Sequence, residues 1–462
     1  MIIRNARVVT LDADNRVLDD ADVVIGDDGA IERVGEGLGA GGQGLGSLTP
    51  NPQPLTPASD VIDAGGRLLM PALINCHTHL YSTLARGISL PGRPPRNFPE
   101  ILKKLWWRLD RALNPDDVYY SALVGLVDAA KNGVGTLVDH HSSPNAIAGS
   151  LDLIERAFRE VGLRGVLCYE TSDRDGPAKA REAIAENARF LDRVGAGRGG
   201  RGAGGGTIAA SFGLHASFTL SDRTLRAAVE ALRGAGPEAG FHIHVAEDRS
   251  DLEHARRRWG KTVVRRLRDL GVLGDRALAA HCVHVTAGDV ASLAKLGVKV
   301  AHNPQSNSNN AVGVARLLEL LAAGVLVGLG SDGYTPRMWE EFKTAFHLQK
   351  VRTGDPRVGY AEAYAVALLN NREIVRRLWG FDVGRVAPGA RADLMLVDYH
   401  PPTPLGPDNL FGHLLFGIAD APLDTLIVDG RVVVRDHRCV TVDERAVAER
   451  ARRQAKALWA RF

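Results

Sequence analysis

Between Ala72 and Gly330 the chain repeats one pattern eight times: a short apolar, β-rich run, then a longer stretch of helical period. The runs are Ala72–Cys76, Gly135–Asp139, Gly165–Tyr169, Thr207–Gly213, Gly240–His244, Arg276–His281, Val298–Asn303 and Val325–Gly330. The intervening segments are rich in Ala, Leu, Arg and Glu, as in Ala178–Val194 and Asp251–Leu270. Parallel strands need crossover connections, and helices supply them. Eight consecutive βα units therefore predict a (β/α)8 TIM barrel; a doubly wound open α/β sheet is the alternative.

Both chain ends read differently. Ile2–Leu11, Ala21–Ile25, Ala30–Val34, Val61–Ala64 and Arg67–Pro71 are short strand patterns, as are Ala392–Val397 and Thr425–Val434, the last turning at Asp429-Gly430. The ends are expected to pair into one small β-sandwich domain interrupted by the barrel. The predicted division is 1–68 and 385–441 for the small domain, 69–384 for the barrel and 442–462 for a basic amphipathic C-terminal helix. Two stretches, Gly35–Ser59 and Gly195–Gly206, are too rich in Gly to build a core and read as loops. The second precedes a strand, on the barrel face opposite the usual active site, so no phosphate-binding role is expected.

Composition narrows the function classes. Lys+Arg total 57 against 54 Asp+Glu, so no concentrated basic face for nucleic acid is expected. No apolar run reaches the ~18 residues of a membrane helix. The start, Met1-Ile2-Ile3-Arg4-Asn5, carries no export signal pattern. Four scattered cysteines without a Cys-x-x-Cys pair fit reduced thiols, and a cytoplasmic location is expected.

Chemistry concentrates at strand ends. Asn75-Cys76-His77-Thr78-His79 closes the first run, and alternation turns His77 and His79 to the same side. The fifth run ends His242-Ile243-His244-Val245-Ala246-Glu247, the sixth His281-Cys282-Val283-His284, and the eighth Ser331-Asp332-Gly333. Taken singly, each is equally well a half-buried His or a helix cap. Together, in a barrel, they converge on one point, where imidazoles and a carboxylate can hold a metal.

These pieces, with Met70–His79, His302-Asn303-Pro304-Gln305-Ser306-Asn307 and Gly389–Leu394, resemble the amidohydrolase superfamily over nearly the whole chain. The resemblance is to its aminohydrolase and chlorohydrolase branch, which includes guanine deaminase. Leu80–Gly87 and Asp139–Pro144 are most similar to the SsnA-like aminohydrolases. The resemblance implies one divalent metal on His77, His79, His244 and Asp332, with zinc first and iron as an alternative. It further implies deamination of an amino-substituted purine- or pyrimidine-like ring by attack of metal-bound hydroxide. Asp332 would take the water proton, Glu247 would protonate the ring, and His281 would hydrogen-bond the hydroxide. The fourth run ends Phe212-Gly213-Leu214-His215, without the bridging Lys or Glu of two-metal relatives, which favours a single ion; His215 matches a substrate-contacting His. Removal of chloride, or hydrolysis of a cyclic amide, would use the same groups. A non-catalytic scaffold is disfavoured because every ligand position is filled.

Other residues are less constrained. His242 lies one layer deeper than His244 and reads as a packed or supporting residue. Only one of His140 and His141 can face the mouth; His141 is taken as a substrate-binding candidate. Tyr81–Pro115 follows the first strand and should overhang the site, making Arg86 and Trp106 further candidates, although Trp106 also fits a packed helix face. Arg and Trp there hint at an anionic or aromatic ligand. His254, His347, His400, His413 and His437 are expected at the surface. A homo-oligomer acting on a small heterocycle is the expected assembly.

Overall fold

A computed structural model of the chain describes residues 1–37, 61–195 and 206–462. The loop expectations for most of Gly35–Ser59 and Gly195–Gly206 lie outside the described residues. The chain divides into two compact units. One comprises Met1–Leu73, Ala130–Gly135 and Asp382–Thr441; the other comprises Ile74–Ala129, Thr136–Phe381 and Val442–Phe462.

In the first unit, one mixed sheet collects strands from both chain ends. These are β1 (Ile2–Val9), β2 (Val17–Ile25), β3 (Ile31–Glu36), β4 (Val61–Asp63) and β5 (Leu68–Pro71). The order continues, after β14 below, with β15 (Leu394–Val397), β16 (Leu423–Val428), β17 (Arg431–Arg435) and β18 (Arg438–Cys439). The order is β18-β17-β16-β15-β5-β1-β2-β3, with β4 on β1. Ile3, Val8, Val23, Ile31, Leu69, Leu394, Leu396 and Ile427 pack into one buried cluster. Each such side chain contributes about 1.5–3 kcal/mol relative to exposure. The β16–β17 hairpin turns at Asp429 (φ 53°) and Gly430 (φ 76°), two left-handed residues whose twist suits a two-residue hairpin.

The larger unit is a TIM-barrel type α/β fold. Its strands are β6 (Leu73–Thr78), β7 (Val134–His141), β8 (Arg164–Tyr169), β9 (Ile208–Ala210) and β10 (Phe212–Ala216), then β11 (Phe241–Val245), β12 (Leu278–His281), β13 (Lys299–His302) and β14 (Val327–Leu329). They form two parallel sheets, β6-β7-β8-β9 and β10-β11-β12-β13-β14. Only Ser211 separates β9 from β10, so the eight predicted runs account for all nine. Isolated parallel bridges, Thr171 with Leu214 and Thr78 with Asp332, connect the sheets at both edges.

Helices occupy the intervals for local reasons. Ser150–Val161 buries Leu151, Ile154, Ala157, Phe158 and Val161 on one face and stops at left-handed Gly162. Thr286 caps Ala287–Leu296 through a capping box with Asp289. The single helix expected over Asp251–Leu270 is two, Arg249–Trp259 and Val263–Asp269. Gly260, at φ 64°, ends the first, and the Thr262 side chain accepts from Arg265 N to start the second. The C-terminal helix Glu444–Arg461 belongs to this unit, where Trp459 Nε1 donates to the Leu84 carbonyl at 2.8 Å.

Candidate active site

The C-terminal ends of these strands gather the histidines. His77, His79, His244, His281 and Asp332 are all buried. Backbone bonds tie the end of β6 to the segment after β14. Asp332 N donates to the His77 carbonyl at 2.9 Å, and His79 N to the Asp332 carbonyl at 3.2 Å. The Asn75 side chain reinforces this by donating to Ser331 Oγ at 2.7 Å and accepting from Ser331 N at 3.1 Å. Ala246, His281, Cys282 and Asp332 all adopt left-handed backbone with φ between 47° and 72°. For residues with a Cβ that is strained, and here it accompanies the turning of strand ends into the cluster.

Second contacts orient the rings. His79 Nδ1 lies 2.5 Å from the His140 carbonyl, and His244 Nδ1 lies 3.0 Å from the His215 carbonyl. A carbonyl only accepts, so both Nδ1 atoms carry the hydrogen and both Nε2 atoms turn inward as lone pairs. Those two Nε2 atoms are 3.1 Å apart. Asp332 Oδ1 is 3.0 Å from His79 Nε2 and 3.5 Å from His77 Nε2. One donor atom each from His77, His244, His281 and Asp332 lie within 4.8 Å of one another. His77 Nε2 and His281 Nε2 are buried without a hydrogen-bond partner. So many electron pairs crowd one point only if a cation joins them, and three imidazoles with a carboxylate suit a divalent metal.

Glu247 and His281 stand beside this cluster. His281 Nδ1 donates to Asn307 Oδ1 at 2.8 Å; its Nε2 is 3.6 Å from Glu247 Oε2 and 3.9 Å from Asp332 Oδ2. Burial and the nearby Asp332 charge push the Glu247 carboxyl well above its ordinary range. Burial opposes ionisation of Asp332 too, but the surrounding His77, His79 and His281 side chains outweigh it and hold Asp332 well below that range. One carboxyl is thus a proton donor and the other an acceptor, and both face His281 Nε2. Ser306 Oγ donates to Asp332 Oδ2.

A cavity opens onto the cluster. His79, His244, Glu247 and Asp332 form its floor; Phe98, Leu102, Trp106 and Trp107 line an aromatic and apolar side; Glu170, Arg174 and His215 line another. Leu102–Trp106 is a π-helical stretch. Of the substrate candidates, Trp106 and His215 line this cavity, whereas Arg86 and His141 do not. Arg86 is 60% exposed and pairs with Asp128, because it leaves the 3-10 turn Leu80–Ala85 on the solvent side. His141 is enclosed, its Nε2 2.8 Å from Ser143 Oγ, while its neighbour His140 takes the inward face among His77, His79, His242 and His244. His242 Nε2 meets His77 Nδ1 at 2.9 Å. His413, expected at the surface, is buried, with Nδ1 2.7 Å from Tyr399 Oη.

Sequence reasoning passed over Glu170 and Arg174. Glu170 sits one residue beyond the wholly buried β8 and, like the recognised ligands, at a strand's C-terminal end. That position was a usable signal. Burial alone would raise its carboxyl, but His215, His140 and Arg174 outweigh this and hold it well below the ordinary value.

The Amidohydrolase family profile matches residues 68–433. A 5-methylthioadenosine/S-adenosylhomocysteine deaminase of Desulforudis audaxviator is 36% identical over 410 residues, covering 87% of this chain and 89% of its own. A 5'-deoxyadenosine deaminase of Methanosarcina mazei is 32% identical over 466 residues, covering 100% and 99%. Among solved structures, a zinc-bound adenosine deaminase from Xanthomonas campestris superposes with a TM-score of 0.81 at 21% identity, covering 99% and 98% of the two chains. A zinc complex of atrazine chlorohydrolase from Arthrobacter aurescens gives 0.78 at 21% identity, covering 99% of each. At that identity the structural matches speak for the fold.

Proposed function

The chain belongs to the amidohydrolase family, and on that premise we propose that it is a metal-dependent aminohydrolase. Its substrate is an amino-substituted nitrogen heterocycle, purine- or pyrimidine-like, from which it releases ammonia. The observation that carries this reading is the approach of His77 and His79 to Asp332 and of His79 to His244, beside a Glu247–His281 pair, with His79, His244, Glu247 and Asp332 lining one cavity. The deaminase names of relatives over 30% identical support it.

In this reading His77, His79, His244 and Asp332 hold one divalent ion, zinc first and iron second. When bound, the ion supplies Lewis acidity and makes water acidic enough to deliver a nucleophile near neutral pH. Asp332 accepts the proton at the oxygen facing His281, where Ser306 steadies it, and hands it on to the amino group, which leaves as ammonia. Glu247 delivers a proton to the ring nitrogen beside the amino carbon, which makes that carbon electrophilic. His281, kept in one tautomer by Asn307, hydrogen-bonds the attacking oxygen from between acid and base. His215 and Trp106 contact the ring, the Trp by offering an aromatic face.

Three features of organisation go with this proposal. The two edge bridges support a distorted (β/α)8 barrel over 69–384. The single core under the mixed sheet supports a small β-sandwich from 1–68 and 385–441, with 442–462 as a terminal helix. Four buried cysteines without disulfides fit a cytoplasmic enzyme, and no helix among the described residues is long and apolar enough to cross a membrane. The deciding experiment is an ammonia-release screen of zinc-loaded protein over amino-purines, pyrimidines, pterins and triazines. Ammonia from an amino-heterocycle supports the reading; release of chloride or opening of a lactam, with no ammonia from any of them, overturns it.

A further inference from the structure

The cavity side formed by Glu170, Arg174 and His215 has a hydrogen-bonding imbalance. Glu170 is 5% exposed. Its Oε2 lies 3.3 Å from His140 Nδ1, and the His140 Nε2 atom already faces the His242 carbonyl at 3.2 Å. Its Oε1 has only distant neighbours: Arg174 Nη2 at 3.5 Å and His215 Nε2 at 3.9 Å. No donor among the described residues reaches Oε1 at the ~3 Å of a good hydrogen bond.

Neither neighbour can close in. Arg174 Nη2 is already committed to Asp110 Oδ2 and, at 2.8 Å, to Ser142 Oγ. The guanidinium is held there, its side chain only 6% exposed and its Cζ 5.6 Å from the Trp107 ring centroid. His215 Nδ1 is 2.6 Å from Thr219 Oγ1, whose own hydrogen goes to the Ala216 carbonyl at 3.1 Å. His215 is therefore the donor in that pair, and its Nε2 presents a lone pair. Two acceptors thus face one cavity, and although Arg174 Nε and Nη1 are buried without hydrogen-bond partners of their own, the guanidinium comes no nearer to Oε1 than Nη2 at 3.5 Å. Leaving an ionised oxygen unsatisfied in a buried wall costs more than a hydrogen bond returns, so the missing donor belongs to what the cavity holds.

Resting on the aminohydrolase reading, we infer that Glu170 is a specificity residue: it accepts a hydrogen bond from a neutral O–H or N–H of the substrate other than the departing amino group. Arg174 is its positioning residue. Because two carboxylates, Asp110 and Glu170, already face the single Arg174 charge, this wall favours a neutral donor over the anionic ligand that arginine in this neighbourhood first suggests.

The test uses ligands that cannot be deaminated, so that binding is read without turnover. Zinc-loaded wild-type protein, Glu170→Gln and Glu170→Asp are titrated calorimetrically with two pairs. Inosine against 2',3'-dideoxyinosine reports an O–H donor; hypoxanthine against purine reports a ring N–H. In the wild type, the donor-bearing member of at least one pair should bind about tenfold more tightly. That preference should fall to about threefold or less in both variants, with zinc content unchanged. An undiminished preference in the variants, no preference in the wild type, or loss of zinc from Glu170→Gln overturns the inference. If ammonia is released from an amino-heterocycle in any of these cases, the aminohydrolase reading stands without it. If no probe binds and no ammonia is released, both fall.

Discussion

His79 Nε2 lies 3.1 Å from His244 Nε2, although each ring has its hydrogen on the far side, directed at a backbone carbonyl. Among the described residues nothing relieves that repulsion, so a bound cation should stabilise the folded state. Removing the ion with a chelator should lower the melting temperature, and adding zinc should restore it. At a thousandfold excess over its dissociation constant an ion contributes about 4 kcal/mol. Elemental analysis should find near one equivalent per chain. A protein holding its equivalent of zinc, whose melting is indifferent to chelation, would contradict the assignment.

His79→Ala and Asp332→Ala should each abolish turnover, because each removes a ligand and Asp332 also removes the proton acceptor. Circular dichroism should show the fold retained. Either variant working at a near-normal rate refutes the ligand set.

Glu247→Gln keeps shape and removes the transferable proton. Its kcat should fall by about 10²–10⁴ while metal content and KM change little. A variant losing KM instead would make Glu247 a binding residue.

Gly330, at the end of β14, has no room for a side chain. A Cβ there would stand 2.5 Å from Asn303 Oδ1 and 2.8 Å from both His77 Cβ and His77 N. Gly330→Ala should displace His77 and weaken metal retention by about 10–100-fold, the range for groups that orient ligands. Retention measured against a competing chelator checks this; unchanged retention would mean that His77 is not a ligand.

On the helix Asn371–Trp379, Arg376 and Arg377 bind Glu373, and their hydrogen bonds hold its carboxyl down at about 2. A depressed carboxylate stabilises the fold above its unfolded value of about 4.3 and ceases to as pH falls toward the folded value. Glu373→Gln should therefore lower melting near pH 7, by no more than about 1 kcal/mol for a solvent-screened pair. The gap from wild type should shrink as pH drops through 4 toward about 2. A gap that widens with acid would reverse the sign.

Much of this site was readable in the chain because metal ligands sit where strands end. The His77-x-His79 spacing needs only the two-residue period of a strand to face one way. Which of His140 and His141 faces inward depends on the register of β7 against β8, set by Thr136–Arg164 through His141–Tyr169 pairing, and alternation alone gives no phase. Arg86 was a candidate because its segment follows the first strand, but the 3-10 turn Leu80–Ala85 carries it away from the cavity, which the sequence does not display. His413 looks solvent-facing in a helix of seven residues, too short to display a period, yet Tyr399 covers it. Glu170 was missed by looking for histidine and aspartate at strand ends rather than for any buried charge there.

The bond from Thr78 Oγ1 to the Asp332 carbonyl joins residues 254 positions apart. During synthesis, three imidazoles leave the ribosome long before the carboxylate that completes them. On the proposed ligand set, a chain that ends before β14 would hold an ion only loosely, and full affinity should arrive once β6 and the segment after β14 have met.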